Sequence, residues 1–472
     1  MKPLAPSVLV LALLAGNARA DVVISKAATR NMSCSAGVCT STAKKAVLNK
    51  ADLANMLASG DVTVATGNGA VTIAVAATFS WTSASRLTLN AQDSVNIRAP
   101  MVVAGPGAVT VTTGAGGDLA FLSGGRADFW DTSSSLIVNG TAYTLVGDIH
   151  GLAAAITADP SGSFALAANY DASADGTYKQ EAVPDLMGNF DGLGHTIDKF
   201  SITGKKDFQG IALFAGLNGT IRDIHLTRVK VRNTGFGNNS FVGGLVTGTS
   251  AAAMIVRASV GGSVKAGAGS FAGGVVAYNQ GTVSLCSANV SVTGRIAGGV
   301  AGANDGLVSQ SWAAGSVQGL VWSSQDMLVG GLVGWGGTDN DARIVQSYAT
   351  ASVVQPNDTG DTGSAGGLAG FFGNFNTTSI SESYSTGAVS GFGDVGGFIG
   401  RDNTAGGMSK DYWDVDTSGV SRGAGGIDDH GIKGLTTAQF QSGLPARFDR
   451  KVWAESPDVN NGYPYLIDNP PN

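Results

Sequence analysis

The chain has 472 residues, 70 of them glycine, with only 14% charged residues and a formal net charge of −6. It is long enough for a large core. The mild acidity leaves no basic excess to neutralise phosphates and speaks against a nucleic-acid partner, and there is no Lys/Arg cluster of the kind that reads anionic lipid.

Residues 1–20 read as a secretory signal. Lys2 is the charged start, Val8 to Ala15 is apolar, and Ala18-Arg-Ala20 is a small-x-small cleavage site. The apolar run is shorter than the roughly 20 residues a membrane span needs. A mature chain from Asp21 is therefore expected to be exported and not inserted in a membrane. Residues 21–180 read as a less regular β region. Val62-Thr-Val64, Val71-Thr-Ile73, Leu87-Thr-Leu89, Val95-Asn-Ile97 and Val109-Thr-Val111 alternate apolar with polar between turn residues. Helices are expected over residues 52–59 and 148–157, the second with Ile149, Leu152, Ala153 and Ile156 on one face. Trp81 with Leu87 and Leu89 resembles the rungs of filamentous-haemagglutinin-type exoproteins.

Residues 181–423 carry a repeat. Two glycines, two apolar residues and a small one begin at Gly243, Gly273, Gly298, Gly330, Gly366 and Gly396. A second phrase pairs an apolar residue with a small one three positions on: Ile255 and Ala258, Val283 and Cys286, Val308 and Ser311, Ile344 and Ser347, Ile380 and Ser383. Six residues further on stands Val264, Val292, Val317, Val353 or Val389. A spacing of about 30 residues marks a solenoid or array. Helices do not survive this glycine content, and isolated aliphatics at alternate positions suit half-buried strands. Strands joined by crossovers are right-handed almost without exception. The expected fold is all-β, a right-handed parallel β-helix in which each unit packs on its neighbours. Residues 424–472 are expected to cap it, with a short helix near Thr436 and an aromatic tail around Trp453 and Tyr463-Pro-Tyr465.

The Gly-Gly-Leu-Val-Gly phrase, together with Ser347-Tyr-Ala349 and Ser383-Tyr-Ser385, resembles the GLUG repeat of large secreted bacterial proteins. These include filamentous-haemagglutinin-like adhesins and the non-catalytic parts of some immunoglobulin A proteases. The resemblance covers about half the chain and implies a surface role without catalytic residues of its own.

Candidate site residues are few. Cys34 and Cys39, five apart, are expected to form a disulfide in an oxidising compartment, with a metal or redox pair as the alternative. Cys286 fills a small-residue slot and reads as packing. Arg222, Arg228, Lys230 and Arg232 alternate with apolar residues and form the most basic stretch, a solvated strand face or a contact for an acidic glycan. Asp414-Val-Asp416-Thr-Ser-Gly419 matches half of a calcium loop, but the position that should hold a bidentate Glu is Gly425. Asp358 and Asp361 read as a solvated loop. His150, His195, His225 and His430 lie in no zinc motif, and no nucleophile elbow or phosphate loop occurs. By elimination Asp191 and Asp223 are the carboxylates an enzyme would use. The stretch 318–329, with Trp322, Met327 and Leu328, reads as an exposed corner insertion and a ligand contact.

These readings predict a secreted or surface-associated adhesin or extracellular scaffold, monomeric, with no cofactor, facing a host-cell, matrix or glycan surface. The alternatives are a polysaccharide-active lyase or hydrolase and a purely structural envelope protein. The tail, ending Asn-Pro-Pro-Asn, shows no sorting motif, so release or non-covalent retention is expected.

Overall fold

A computed structural model describes residues 21–471 except 68, 206–209, 236–239, 322–325, 338–341, 357–362, 374–376 and 405. The signal segment, Trp322, Asp358 and Asp361 lie outside the described residues. The chain is all-β, with large parallel sheets. It forms two compact units: one through Gly125 with Ile137–Gly140, the other Arg126–Leu136 with Thr141–Asn472.

In the first unit the alternating segments form parallel ladders. Val62–Ala65, Arg86–Asn90 and Ala108–Thr112 pair in order, placing Val62, Leu87 and Val109 in one buried column and Val64, Leu89 and Val111 in another. The helix Lys50–Leu57 starts one residue after Asn49, whose side chain accepts from the Ala51 and Asp52 amides. Asparagine at the N-cap satisfies donors the helix cannot, so the start falls earlier than Asp52. A disulfide joins Cys34 to Cys39, which face each other across the antiparallel hairpin Met32–Ser35 and Val38–Ser41.

In the second unit, the helix Ile149–Ala158 is capped by Asp148 and buries Ile149, Leu152 and Ile156. Beyond it, each repeat contributes one strand to each of several parallel sheets. Phe241–Gly243, Phe271–Gly273, Ile296–Gly298, Leu328–Gly330, Ser364–Gly366 and Asp394–Gly396 form one six-stranded sheet in chain order, and the strands that follow them form another. The glycine pairs are sterically required. A Cβ on the first glycine would lie 1.8–2.1 Å from the carbonyl oxygen three residues on, in all six repeats. A Cβ on Gly244, Gly274, Gly299, Gly331 or Gly367 would lie 2.0–2.3 Å from the next repeat's carbonyl oxygen. No residue with a side chain fits such an approach.

The second phrase makes a corner of different chemistry. Asp223, Arg257, Leu285, Gln310, Gln346, Glu382 and Lys410 occupy equivalent positions, all with φ between 44° and 59°. Left-handed backbone costs an L-residue about 1–2 kcal/mol, and the slot that follows helps offset it. The Ser311, Ser347 and Ser383 hydroxyls each accept the amide of the preceding repeat's slot residue, at 3.0–3.2 Å, and donate to the carbonyl two residues back, at 2.8–3.0 Å. Asp411 closes this ladder, accepting from the Ser383 and Ser409 amides at 3.0 Å. The small residue is thus a hydrogen-bonding position, which is why serine recurs there. The valines then align: Val264, Val292, Val317, Val353 and Val389 are in register and buried.

Residues 424–471 pack on the repeats. Ile432–Leu435 adds a rung beside Asp411–Asp414. The following segment, which opens with the capping-box helix Thr437–Phe440, lies along the side of the array. There Phe440, Phe448, Trp453 and Leu466 cover a stack of Trp312, Tyr348, Tyr384 and Tyr412. Tyr348 and Tyr384 stack with centroids 5.0 Å apart, and Asn469 donates to the Cys286 and Gln310 carbonyls at 3.0 Å.

Candidate functional site

Two clusters in the second unit combine charge with geometry. The first is a groove of about 650 Å³ lined by residues that include Ser173, Thr177, Lys199, Ser201, Arg228, Lys230 and Ser263. The alternation on Thr220–Asn233 builds one wall: Val229 and Val231 are buried while Lys230 and Arg232 are exposed. Two of the cations are paired. Lys199 meets Asp171 at 2.5 Å, and Arg228 clasps Asp198, holding that carboxyl below its usual range.

The groove is one end of a longer polar face. Strand register places Ser201, Lys230, Ser263, Ser291, Ser316 and Ser352 in one row across the sheet. A parallel row two residues on runs Thr203, Arg232, Lys265, Thr293, Gln318 and Val354. The Ser316 hydroxyl reaches that of Ser291 at 3.2 Å. From Lys230 to Ser352 each member of this row is the residue just before an inward valine. The spacing that located the valines also marked the row, but hydroxyls beside a buried position read as ordinary solvated polar residues.

The second cluster brings together the two carboxylates named from sequence. Asp191 and Asp223 are both buried. Asp223 is held by Arg257 at 2.7 and 3.0 Å and by Arg222 at 2.8 Å, and Arg222 lies 3.6 Å from Asp191. Burial, reinforced by Asp223, raises the Asp191 carboxyl toward neutrality. Nearby, burial raises the Tyr143 hydroxyl to about 12, with a contribution from Asp191. His195 is fully buried and neutral: burial lowers it to about 4, and its Nε2 lies 2.9 Å from the Ala127 carbonyl. His225 Nδ1 is 2.7 Å from the Ser259 hydroxyl. The group is an internal network of ions and hydrogen bonds with its donors turned on one another.

Other sequence candidates fall elsewhere. Met327 and Leu328 are 0% and 5% exposed, which corrects their reading as exposed loop residues. Leu328 opens the strand Leu328–Gly330, in register with Ile296 and Ser364, and Met327 packs into the main core. The strand starts two residues before the glycine pair, so apolar side chains there belong to packing. Asp414 is buried; its carboxylate accepts from the Asp416 and Thr417 amides and from the Thr437 and Tyr463 hydroxyls. Oxygens so engaged anchor the C-terminal segment and leave the half calcium loop as an Asx turn. Among the described residues no group of three or more His, Cys, Asp or Glu side chains is placed to hold a metal ion.

No protein-family model matches this chain. No curated protein matches it either. Among solved structures, it is similar to a Bacteroides ovatus protein that carries the provisional name immunoglobulin A1 protease, at 16% identity over 65% of this chain and 85% of that one, with a TM-score of 0.40. A likeness of that size fixes neither fold nor activity.

Proposed function

We propose that this chain is a secreted or surface-associated binding protein, an adhesin or extracellular scaffold without catalysis, built as a right-handed parallel β-helix of GLUG-type repeats. The observation that carries this reading is the unbroken register from Ser201 to Ser352, which gives a rigid stack an extended polar face. The repeated Gly-Gly contacts and the serine ladder support the β-helix, because each repeat satisfies its backbone groups on its neighbours. Export is supported by the signal-like residues 1–20 and by the Cys34–Cys39 disulfide, a bond that persists in oxidising compartments.

The rival reading is a polysaccharide lyase or hydrolase. It is favoured by one observation, the raised carboxyl of Asp191 beside Asp223, since a general acid works best with a pKa near the working pH. Against it, Asp191 and Asp223 are 2% and 1% exposed, and an acid must reach the proton acceptor of its substrate. Saturable binding of the purified mature chain to cell or matrix surfaces, with no chemical change in them, is the expected result. Turnover that disappears in Asp191→Asn would establish the enzyme instead.

A further inference from the structure

Cations gather at the groove end of the serine row. The whole sequence is net negative, yet Lys199, Arg228, Lys230, Arg232 and Lys265 gather at this end of one sheet face. Asp171 and Asp198 pair with Lys199 and Arg228. Lys230 and Arg232 on one strand, and Lys265 in register with Arg232 on the next, are exposed and form no ion pair among the described residues. From these cations the hydroxyls of Ser263, Ser291, Ser316 and Ser352 continue at the strand spacing of about 4.8 Å, with Thr293 and Gln318 alongside.

A ligand matching this surface needs acidic groups at one end and many hydroxyls along an extended backbone. Nucleic acid also carries the charge, but single strands are held by stacking on aromatic rings, and neither row contains one. Electrostatic attachment to an anionic lipid surface takes clusters of about four to eight Lys/Arg, and the two rows hold three cations, Lys230, Arg232 and Lys265. Resting on the reading of the chain as a binding protein, we propose that this face binds an acidic polysaccharide. The carboxylate or sulfate groups would sit in the Lys199–Arg228–Lys230 groove and against Arg232 and Lys265, with the polymer lying across the strands along the serine row.

Calorimetric titration of the mature chain at low ionic strength tests this with a sulfated heparin oligosaccharide, an oligogalacturonate and neutral dextran. Binding of at least one acidic oligomer and none of dextran is expected, and the two acidic arms separate sulfate from carboxylate recognition. The Lys230→Ala, Arg232→Ala, Lys265→Ala triple variant should bind at least tenfold more weakly, with a flatter salt dependence, while its melting curve is unchanged. The matching lysine–arginine exchanges should retain binding, and Lys433→Ala, on another strand, should have no effect. Failure to bind either acidic oligomer, an unaffected triple variant, or equal binding to a single-stranded oligonucleotide would overturn the proposal. If the chain adheres to cells yet ignores both acidic oligomers, this proposal fails and the binding reading stands. If it binds and shortens them, this proposal stands and the non-catalytic reading fails.

Discussion

Val353 and Val354 are neighbours on one strand, and the same substitution at each should have opposite consequences. Val353 is fully buried, in register between Val317 and Val389, whereas Val354 is 42% exposed. Val353→Asp loses the burial of an aliphatic side chain, about 1.5–3 kcal/mol. It also places a carboxyl among Val317, Val389 and the apolar core; an unpaired polar group there costs a further roughly 2–7 kcal/mol, and the acid would be forced to stay protonated. The total, at least about 3.5 kcal/mol, is a large fraction of a domain's typical stability of about 5–15 kcal/mol. Val354→Asp replaces an exposed side chain and should stay within about 0.5 kcal/mol of the parent. Urea and thermal melts followed by circular dichroism measure both. Opening need not be all-or-none in a repeat array, so hydrogen exchange at Ser352 and the flanking strands should accompany the melts. The inward valine column is refuted if Val353→Asp melts with the parent, or if Val354→Asp is the more damaging of the two.

The remaining predictions rest on particular contacts. Native alkylation followed by mass spectrometry should leave all three cysteines unlabelled: Cys34 and Cys39 are bonded, and burial raises the Cys286 thiol to about 12. Rapid native labelling of Cys286 would contradict that. Gly334→Ala should cost several kcal/mol, because its Cβ would meet the Gly302 carbonyl at 2.6 Å and Ala297 backbone at 2.8 Å, whereas Gly60→Ala, with open space around it, should be nearly neutral. Asp402 is raised above its usual range, first by burial and then by Asp429. A carboxyl raised in the folded state contributes stability present at low pH and lost as pH rises through the folded value. Asp402→Asn should therefore flatten the fall in melting temperature between the ordinary carboxylate range and that raised value, and an unchanged pH profile would reject the assignment.

Much of the repeat was legible because each phrase has a steric cause. The glycine pairs, the small slot and the inward valine follow from close approach, a left-handed corner and strand alternation, and these leave fixed spacings. Serine in the slot looked like mere smallness, since its hydrogen bonds run to the neighbouring repeat and have no local signature. Met327 and Leu328 were misplaced for a related reason: Leu328 follows a stretch of variable length, and only register with Ile296 and Ser364 shows that a strand has begun. The lateral docking of Trp453 on Tyr348 and Tyr384 joins residues 105 and 69 positions apart, and an aromatic tail alone does not say what it covers. The polar face was half visible: Arg228, Lys230 and Arg232 were singled out, but Lys199, Lys265 and the serine row join them only once the strands are aligned.

The central claim is that this chain holds an extracellular polymer without altering it. The most direct measurement is size-exclusion chromatography of an acidic polysaccharide after prolonged incubation with the purified mature chain, with light scattering to size the polymer. Co-elution of protein with polymer of unchanged length is the predicted result. A shortened polymer would contradict the claim and return attention to Asp191 and Asp223.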